Sequence, residues 1–410
     1  MPFRYVEGKR VGVNCGVHLE PLGLEPSCRG QPDYRAQVYC AIDIGTWIDP
    51  NHALRALRRW ADEVLSSMRR EVDRAYAKVG RPSIIPEMLL RALLLQALFS
   101  IRSEPQLIEQ IQMNLLYRWF INLSLDGKVW EATTFTKNRE RCEKHGVLGT
   151  FFDFDRVVSE RAHAEEWASS ENFTVDRILI ESYALMKSLR PVDTSATRVS
   201  NGSDDGDQGN PAVNFRRENR SNRTHRSLTD PEARLARKSH DVGSKLCHAA
   251  HLLMENRSGL VVDVSVSQAN GFAEREEAMR LVRRTKKRHR VDLTTLATDK
   301  GYGAGTFLHE LETGEGVVPL VPLPTKKFCG DGPEARARRK ARRWPSTKRY
   351  TIAQRIRRRV EETFGWTKEI GGFRPSRHVG RWMIHQQALV VNAAYNLLRM
   401  ARLEVWEQAA

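Results

Sequence analysis

"NFTVDRILI", residues 172–180, is the stretch at which the chain changes character. Upstream, apolar residues recur with a helical period. Here β-branched residues crowd together and favour a pleated strand. Strand and helix signals then alternate. "LCHAAHLLM" (246–254) and "GLVVDVSVS" (259–267) read as strands, and a helix starts from "FAEREEAMRLVRRT". A strand, "LTTLATD" (293–299), a helix near 304–313, a strand, "GVVPLVPL" (316–323), and a helix over "TIAQRIRRRVEETFGWTK" (351–368) follow. Three strands followed by α, β, α, β and α predict an α/β fold, a mixed sheet covered by helices. "QQALVVNAAYNLLRMARL" (386–403) predicts a closing apolar helix.

Working backwards, "WIDPNHALRAL" (47–57) predicts a helix capped by Asp49 with Pro50 at its first position. Leu54, Leu57, Ala61, Val64, Leu65, Met68 and Val72 keep its 3.6 period as far as Gly80. Further helical signals at 86–101, 105–121 and 134–145 make an all-helical N-terminal domain. Residues 1–40 lack sustained periodicity and are expected to be a poorly ordered extension. Residues 190–230, rich in Ser, Asn, Gly and Arg, bury too little to offset their ordering entropy, so a mobile loop is expected within 190–240. The expected domains are 1–40, 41–165, 170–385 with that loop, and a C-terminal helix over 386–410.

The 410 residues carry 66 Lys and Arg against 50 Asp and Glu, a net charge of +16. Such a surplus favours an anionic partner, nucleic acid above all. It is concentrated: Lys326 to Arg359 holds fourteen basic residues against Asp331 and Glu334, a net twelve charges. The most apolar run, "MLLRALLLQALFSI" (88–101), is too short to span a bilayer and is interrupted by Arg91 and Gln96, so no membrane association is expected. Six cysteines without a CxxC pair argue against zinc and disulfide frameworks and for a reducing cytoplasm. "GYGAG" (301–305) lacks the spacing of a nucleotide-binding loop. His248 and His251, in a strand, point to opposite faces and do not read as a metal site.

Three carboxylates stand out. Asp176 and Asp299 are expected at strand ends, where ligands gather in open α/β sheets. A glycine-rich turn follows Asp299. On the helix over 351–368, Ile352, Ile356, Val360 and Phe364 form an apolar stripe. At 100° per residue Glu361 falls about 40° from Arg357 and Lys368 about 20°, beside that stripe, while Glu362 falls about 140° away, on the outer side. Singly, each acid is more simply a cap or a solvated charge.

The spacing Arg357-x3-Glu361-x6-Lys368 in "RRRVEETFGWTKEIGGFR" resembles the Y-x2-R-x3-E-x6-K signature of bacterial insertion-sequence transposases. "FTVDRILIESYALMKSLRP" and "ATDKGYGAGTF" resemble that family's first-Asp and second-Asp segments. "RPSIIPEMLLRALLLQALFSIRSEPQLIEQIQMNLLYRWFINLSLD" and "DPEARLARKSHDVGSKLCHAAHLLMENRSGLVVD" resemble other parts of the same group, the IS5-family DDE transposases. Gln354 stands where the signature has Tyr, and Arg177-Ile178 where Gly-Thr is usual.

The resemblance implies a ribonuclease H-like catalytic core in which Asp176, Asp299 and Glu361 are both catalytic residues and metal ligands, holding Mg2+, with Mn2+ able to substitute. Carboxylate oxygens suit such hard cations. It implies strand cleavage and strand transfer on double-stranded DNA, with inverted terminal repeats and target DNA as partners, by a homo-oligomer assembled on DNA in the cytoplasm and associated with the nucleoid. Arg355, Arg357, Arg358, Arg359 and Lys368 are expected to bind phosphates. Lys137, Arg139 and Arg141, with the basic face of the 51–79 helix, are expected to contact the terminal repeats. Binding should weaken with salt by a slope of about −0.9 per phosphate neutralised. Two alternatives remain: a catalytically inactive DNA-binding derivative, and a nuclease that cuts without joining.

Overall fold

The computed structural model describes residues 43–76, 83–152, 167, 169, 171–192, 213–215, 218–237, 243–271, 273–289, 291–323 and 330–409. The chain divides at residue 43 into Met1–Asp43 and Ile44–Ala410. The expected extension 1–40 lies outside the described residues, and every described helix and strand belongs to the second unit.

Among the described residues eight helices open it: α1 (Ile44–Trp47), α2 (Ala53–Ser67), α3 (Arg69–Arg74), α4 (Pro86–Leu98), α5 (Glu104–Met113), α6 (Leu115–Ile121), α7 (Ala132–Lys144) and α8 (Val147–Phe152). The predicted cap moves. His52 caps α2 by accepting from the Leu54 N–H at 3.2 Å, while Asp49 accepts from Asn51 N–H and shapes the preceding turn. The predicted 51–79 helix breaks at Met68 between α2 and α3, and its end at Gly80 lies outside the described residues. α4 starts with Pro86 and is apolar nearly all round, with Leu89, Leu90, Leu94 and Leu95 fully buried. A helix of that kind belongs at the centre of a core, where each buried Leu contributes about 1.5–3 kcal/mol.

The main sheet is built on β1 (Asn172–Glu181). Four short strands come next: β2 (Leu189–Pro191), β3 (Val213–Phe215), β4 (Glu218–Arg220) and β5 (His225–Ser227), paired β2–β5 and β3–β4. They fall where a loop is predicted, and His225, Ser227 and Asp230 are buried there. Asp230 explains the order: its Oδ2 accepts from Ser182 Oγ at 2.7 Å and lies 2.8 Å from His248 Nε2. Residues 193–212, 216–217 and 238–240 of that predicted loop lie outside the described residues.

β6 (Arg234–Ala236), β7 (Lys245–Glu255), β8 (Val261–Gln268), β9 (Thr295–Ala297) and β10 (Val318–Leu320) complete the main sheet. Its order is β10-β9-β1-β7-β6, with β8 also on β7. β7 is antiparallel to both β1 and β8, whereas β1, β9 and β10 run parallel. α9 (Ala273–His289), α10 (Gly305–His309), α11 (Pro333–Ala341), α12 (Lys348–Arg357), α13 (Arg359–Glu369) and α14 (Arg381–Ala409) cover it. α11 occupies part of the basic stretch.

Alternation along β1 separates two cores. Phe173 and Val175 join Leu253, Leu281, Leu296 and Phe307 on one face. Ile178 and Ile180 turn the other way, into a cluster shared with α2, α4, α8 and α14. The helical module and the sheet are therefore joined through one hydrophobic core, with α14 packing on β8, α8, α4 and α2. Asn396 of α14 completes the join: its side-chain amide exchanges hydrogen bonds with Val261 N–H (2.9 Å) and Val261 C=O (2.8 Å). No helix among the described residues is long and apolar enough to cross a membrane.

Candidate active site

β1 and β9 pair in parallel with Asn172 beside Thr295 and Thr174 beside Ala297. Thr174 and Ala297 share a face of the sheet; two residues further on stand Asp176, still in β1, and Asp299, just past the end of β9, so the register brings the two acids about level. Ala297 on that face packs against Ala353 of α12. Asp176 does not end its strand, as the sequence suggests; β1 runs on to Glu181. It stands where β1 outlasts its shorter neighbour β9, which gives the same open position that a strand end would.

Asp176 Oδ1 accepts from the Arg177 backbone N–H at 2.8 Å, and Oδ2 accepts from Arg357 Nη1 at 2.9 Å. Asp299 Oδ1 accepts from Gly301 N–H at 2.8 Å and caps the turn Lys300–Tyr302. Burial pushes the Asp176 carboxyl up to about 6. The Arg177 N–H and Arg357 pull it back, while the charges of Asp299 and Glu361 push it further up. The three acids, remote in sequence, therefore share one electrostatic environment.

The helix carrying Glu361 differs from prediction. It breaks at Arg358 into α12 and α13, so the continuous stripe is lost: Ile352 is exposed, and the buried positions are Ala353, Val360, Thr363 and Thr367. Glu361 and Glu362 fall in the first turn of α13, where carboxylates favour the helix dipole. Both are exposed. Glu361 acts on Asp176, whereas Glu362 acts on Tyr395 of α14, so the two adjacent acids serve different surroundings.

All three acids offer oxygen donors, and their mutual repulsion is what a divalent cation relieves; the donor set fits a hard metal ion. Among the described residues, however, no group of three or more His, Cys, Asp or Glu side chains is arranged to hold a metal ion as it stands. One physical reason is visible, since the Arg357 guanidinium occupies Asp176 Oδ2.

Gln354 is a residue whose role sequence reasoning missed. Its Nε2 donates to the carbonyls of Leu320 (2.6 Å) and Thr298 (3.2 Å), tying α12 to the ends of β10 and β9. Its Oε1 accepts from Arg357 Nε at 3.3 Å. The departure from the signature at this position was the available signal.

The basic residues divide. Arg355 and Arg358 are exposed on α12 and at the helix break, while Arg359 donates to the carbonyls of Asn256 and Arg257. Lys368 lies on α13, partly buried, and lines a cavity of about 440 Å3 between α4 and the 370–378 segment. Lys137 and Arg141 are exposed on α7, with Arg141 stacked 5.2 Å over Tyr76. Arg139, expected beside them on the surface, is instead buried and paired with Glu104 and Glu143. On the basic face of α2, Arg55 and Arg58 lie over the Trp119 ring and Arg59 pairs with Glu404, so these charges are engaged within the fold.

Comparison with known proteins gives two family matches. Residues 42–141 match a transposase domain, DUF772, and residues 221–397 match a transposase DDE domain. No curated protein and no solved structure matches the chain. The DDE match contains Asp299 and Glu361, and Asp176 precedes it. One transposase-domain match thus falls on the opening helices and a transposase DDE match over most of the sheet, which together support a DDE transposase.

Proposed function

We propose that this chain binds the inverted-repeat ends of an insertion sequence of the IS5 family and catalyses DNA strand cleavage and strand transfer, with Asp176, Asp299 and Glu361 as the catalytic acids. The observation that carries the reading is the register of β1 with β9, which sets Asp176 level with Asp299 while α13 adds the charge of Glu361. The strand order also supports it. Three antiparallel strands, β8-β7-β1, continue into two parallel ones, β9 and β10, an order in keeping with a ribonuclease H-like core.

Asp176, Asp299 and Glu361 would hold divalent cations, Mg2+ or Mn2+, which when bound activate a water or 3′-hydroxyl and stabilise the leaving oxygen. Arg357 neutralises Asp176, and it would be available to a DNA phosphate if a cation took over that carboxylate. Arg355, Arg358 and Lys368 place the phosphate backbone without reading sequence. Lys137 and Arg141 on α7 are the candidates for contact with the terminal repeats. The protein works as an oligomer on DNA, in the cytoplasm with the nucleoid.

One observation favours a second reading, an inactive DNA-binding derivative: the Arg357 guanidinium takes an oxygen of Asp176 that a metal ion would need. A plasmid carrying the short inverted repeats that flank the gene separates the two. Nicking with Mg2+ by the wild type and none by Asp299→Ala supports the enzyme. Binding by both proteins without cutting under any divalent metal supports the derivative, and cutting without joining points to a nuclease.

A further inference from the structure

Arg177 places a guanidinium directly after Asp176, on the opposite face of β1. Its ion-pair partner is Glu274, in the first turn of α9, and both side chains are largely shielded from solvent. Glu274 is also a neighbour of the acid cluster. A Cβ added at Gly301 would stand 3.1 Å from Asp299 Oδ1 and 3.3 Å from Glu274 Oε2, so one glycine separates the two carboxylates. Tyr302 beside them is fully buried, and its hydroxyl is affected by Asp176, Asp299 and Arg177 together. Across the strand pair, His251 faces Arg177; burial, aided by that guanidinium, keeps it neutral, so it adds no like charge beside Arg177.

Through Glu274 the Arg177 charge thus lies one glycine away from Asp299, an acid that it could neutralise, and a cation already bound to a carboxylate weakens its hold on metal. We infer that Glu274 is a positioning residue that holds Arg177 away from Asp299 and so leaves that carboxylate available to a divalent cation. The inference rests on the proposed reading of the site and adds a fourth acid to it, one that acts through Arg177.

Calorimetric titration of the full chain with Mn2+, without DNA, tests it, alongside Mg2+-dependent nicking and thermal melting. Glu274→Gln is expected to weaken Mn2+ binding by about tenfold or more. The double variant Arg177→Gly/Glu274→Gln should recover wild-type affinity, because the released guanidinium is gone. Glu274→Asp, which keeps the charge, should lie closer to the wild type, and it carries the comparison if Glu274→Gln does not fold. Unchanged Mn2+ affinity in Glu274→Gln overturns the inference. So does a double variant as weak as Glu274→Gln, since Glu274 would then act as a ligand itself. A wild type that binds no Mn2+, or an Asp299→Ala protein that binds it equally well, sinks the reading of the site and this inference with it.

Discussion

Arg357 Nη1 lies 2.9 Å from Asp176 Oδ2, a pair closed across 181 residues of sequence with both side chains mostly buried. Removing one partner of such a pair strands the other charge, at a typical cost of roughly 3–5 kcal/mol. Arg357→Ala should therefore destabilise the metal-free protein by about 3 kcal/mol, and adding Mn2+ should recover part of the loss. Urea unfolding with and without metal measures both effects. Equal stability of variant and wild type without metal would show that the pair is not a structural counter-charge.

The raised Asp176 carboxyl predicts a proton count. Its folded value of about 6 lies above the ordinary 3.8, so its neutral form favours folding below the ordinary value, and that contribution is lost as pH rises through about 6. Metal needs the ionised form. Binding of Mn2+ at pH 6 should therefore release about half a proton from this group, and almost none at pH 8. Calorimetry in buffers of different ionisation enthalpy reads the count, and Asp176→Asn should remove the difference.

Gln354 predicts a kinetic effect separable from folding. Its amide bridges two strand-end carbonyls and accepts from Arg357, three roles that a single phenol hydroxyl cannot fill. Gln354→Leu should leave DNA binding nearly unchanged and slow nicking by about a hundredfold, the order of effect produced by small misplacements of catalytic groups. Gln354→Tyr, which restores the signature residue, should recover less than half of that loss on a logarithmic scale. Full recovery would show that the bridging geometry does not matter.

Much of this was legible in the sequence because it is local or periodic. β-branched alternation marks β1, apolar runs mark β7 and β8, and the fixed spacing from Arg357 to Lys368 keeps Glu361 on its helix. The break at Arg358 was not legible. Nothing in "RIRRRVEETF" is a helix breaker, and the bend follows from tertiary fit as Gln354 ties α12 to the strand ends and Val360 enters the core. The burial of Arg139 was hidden for a related reason, since its partner Glu104 comes from another helix. The short strands near residue 225 escaped notice because their order depends on Asp230 meeting His248 and Ser182, contacts that no polar, glycine-rich composition announces.

The joint between the helical module and the sheet yields the last prediction. Asn396 is nearly fully buried, and its amide supplies Val261 with both a donor and an acceptor, standing in for a neighbouring strand. Asn396→Ala would leave a buried N–H and a buried C=O without these partners. Each such group costs about 1–3 kcal/mol, so the variant should lose roughly 2–6 kcal/mol of stability. Asn396→Asp keeps an acceptor for the Val261 N–H but turns a second one toward the Val261 carbonyl, and it should be at least as damaging at neutral pH. Because α14 also packs on α2, α4 and α8, the loss should appear as one cooperative transition of module and sheet together. Two separate transitions in the Asn396→Ala melt, with the helical module unchanged, would show that the shared core does not couple the two parts.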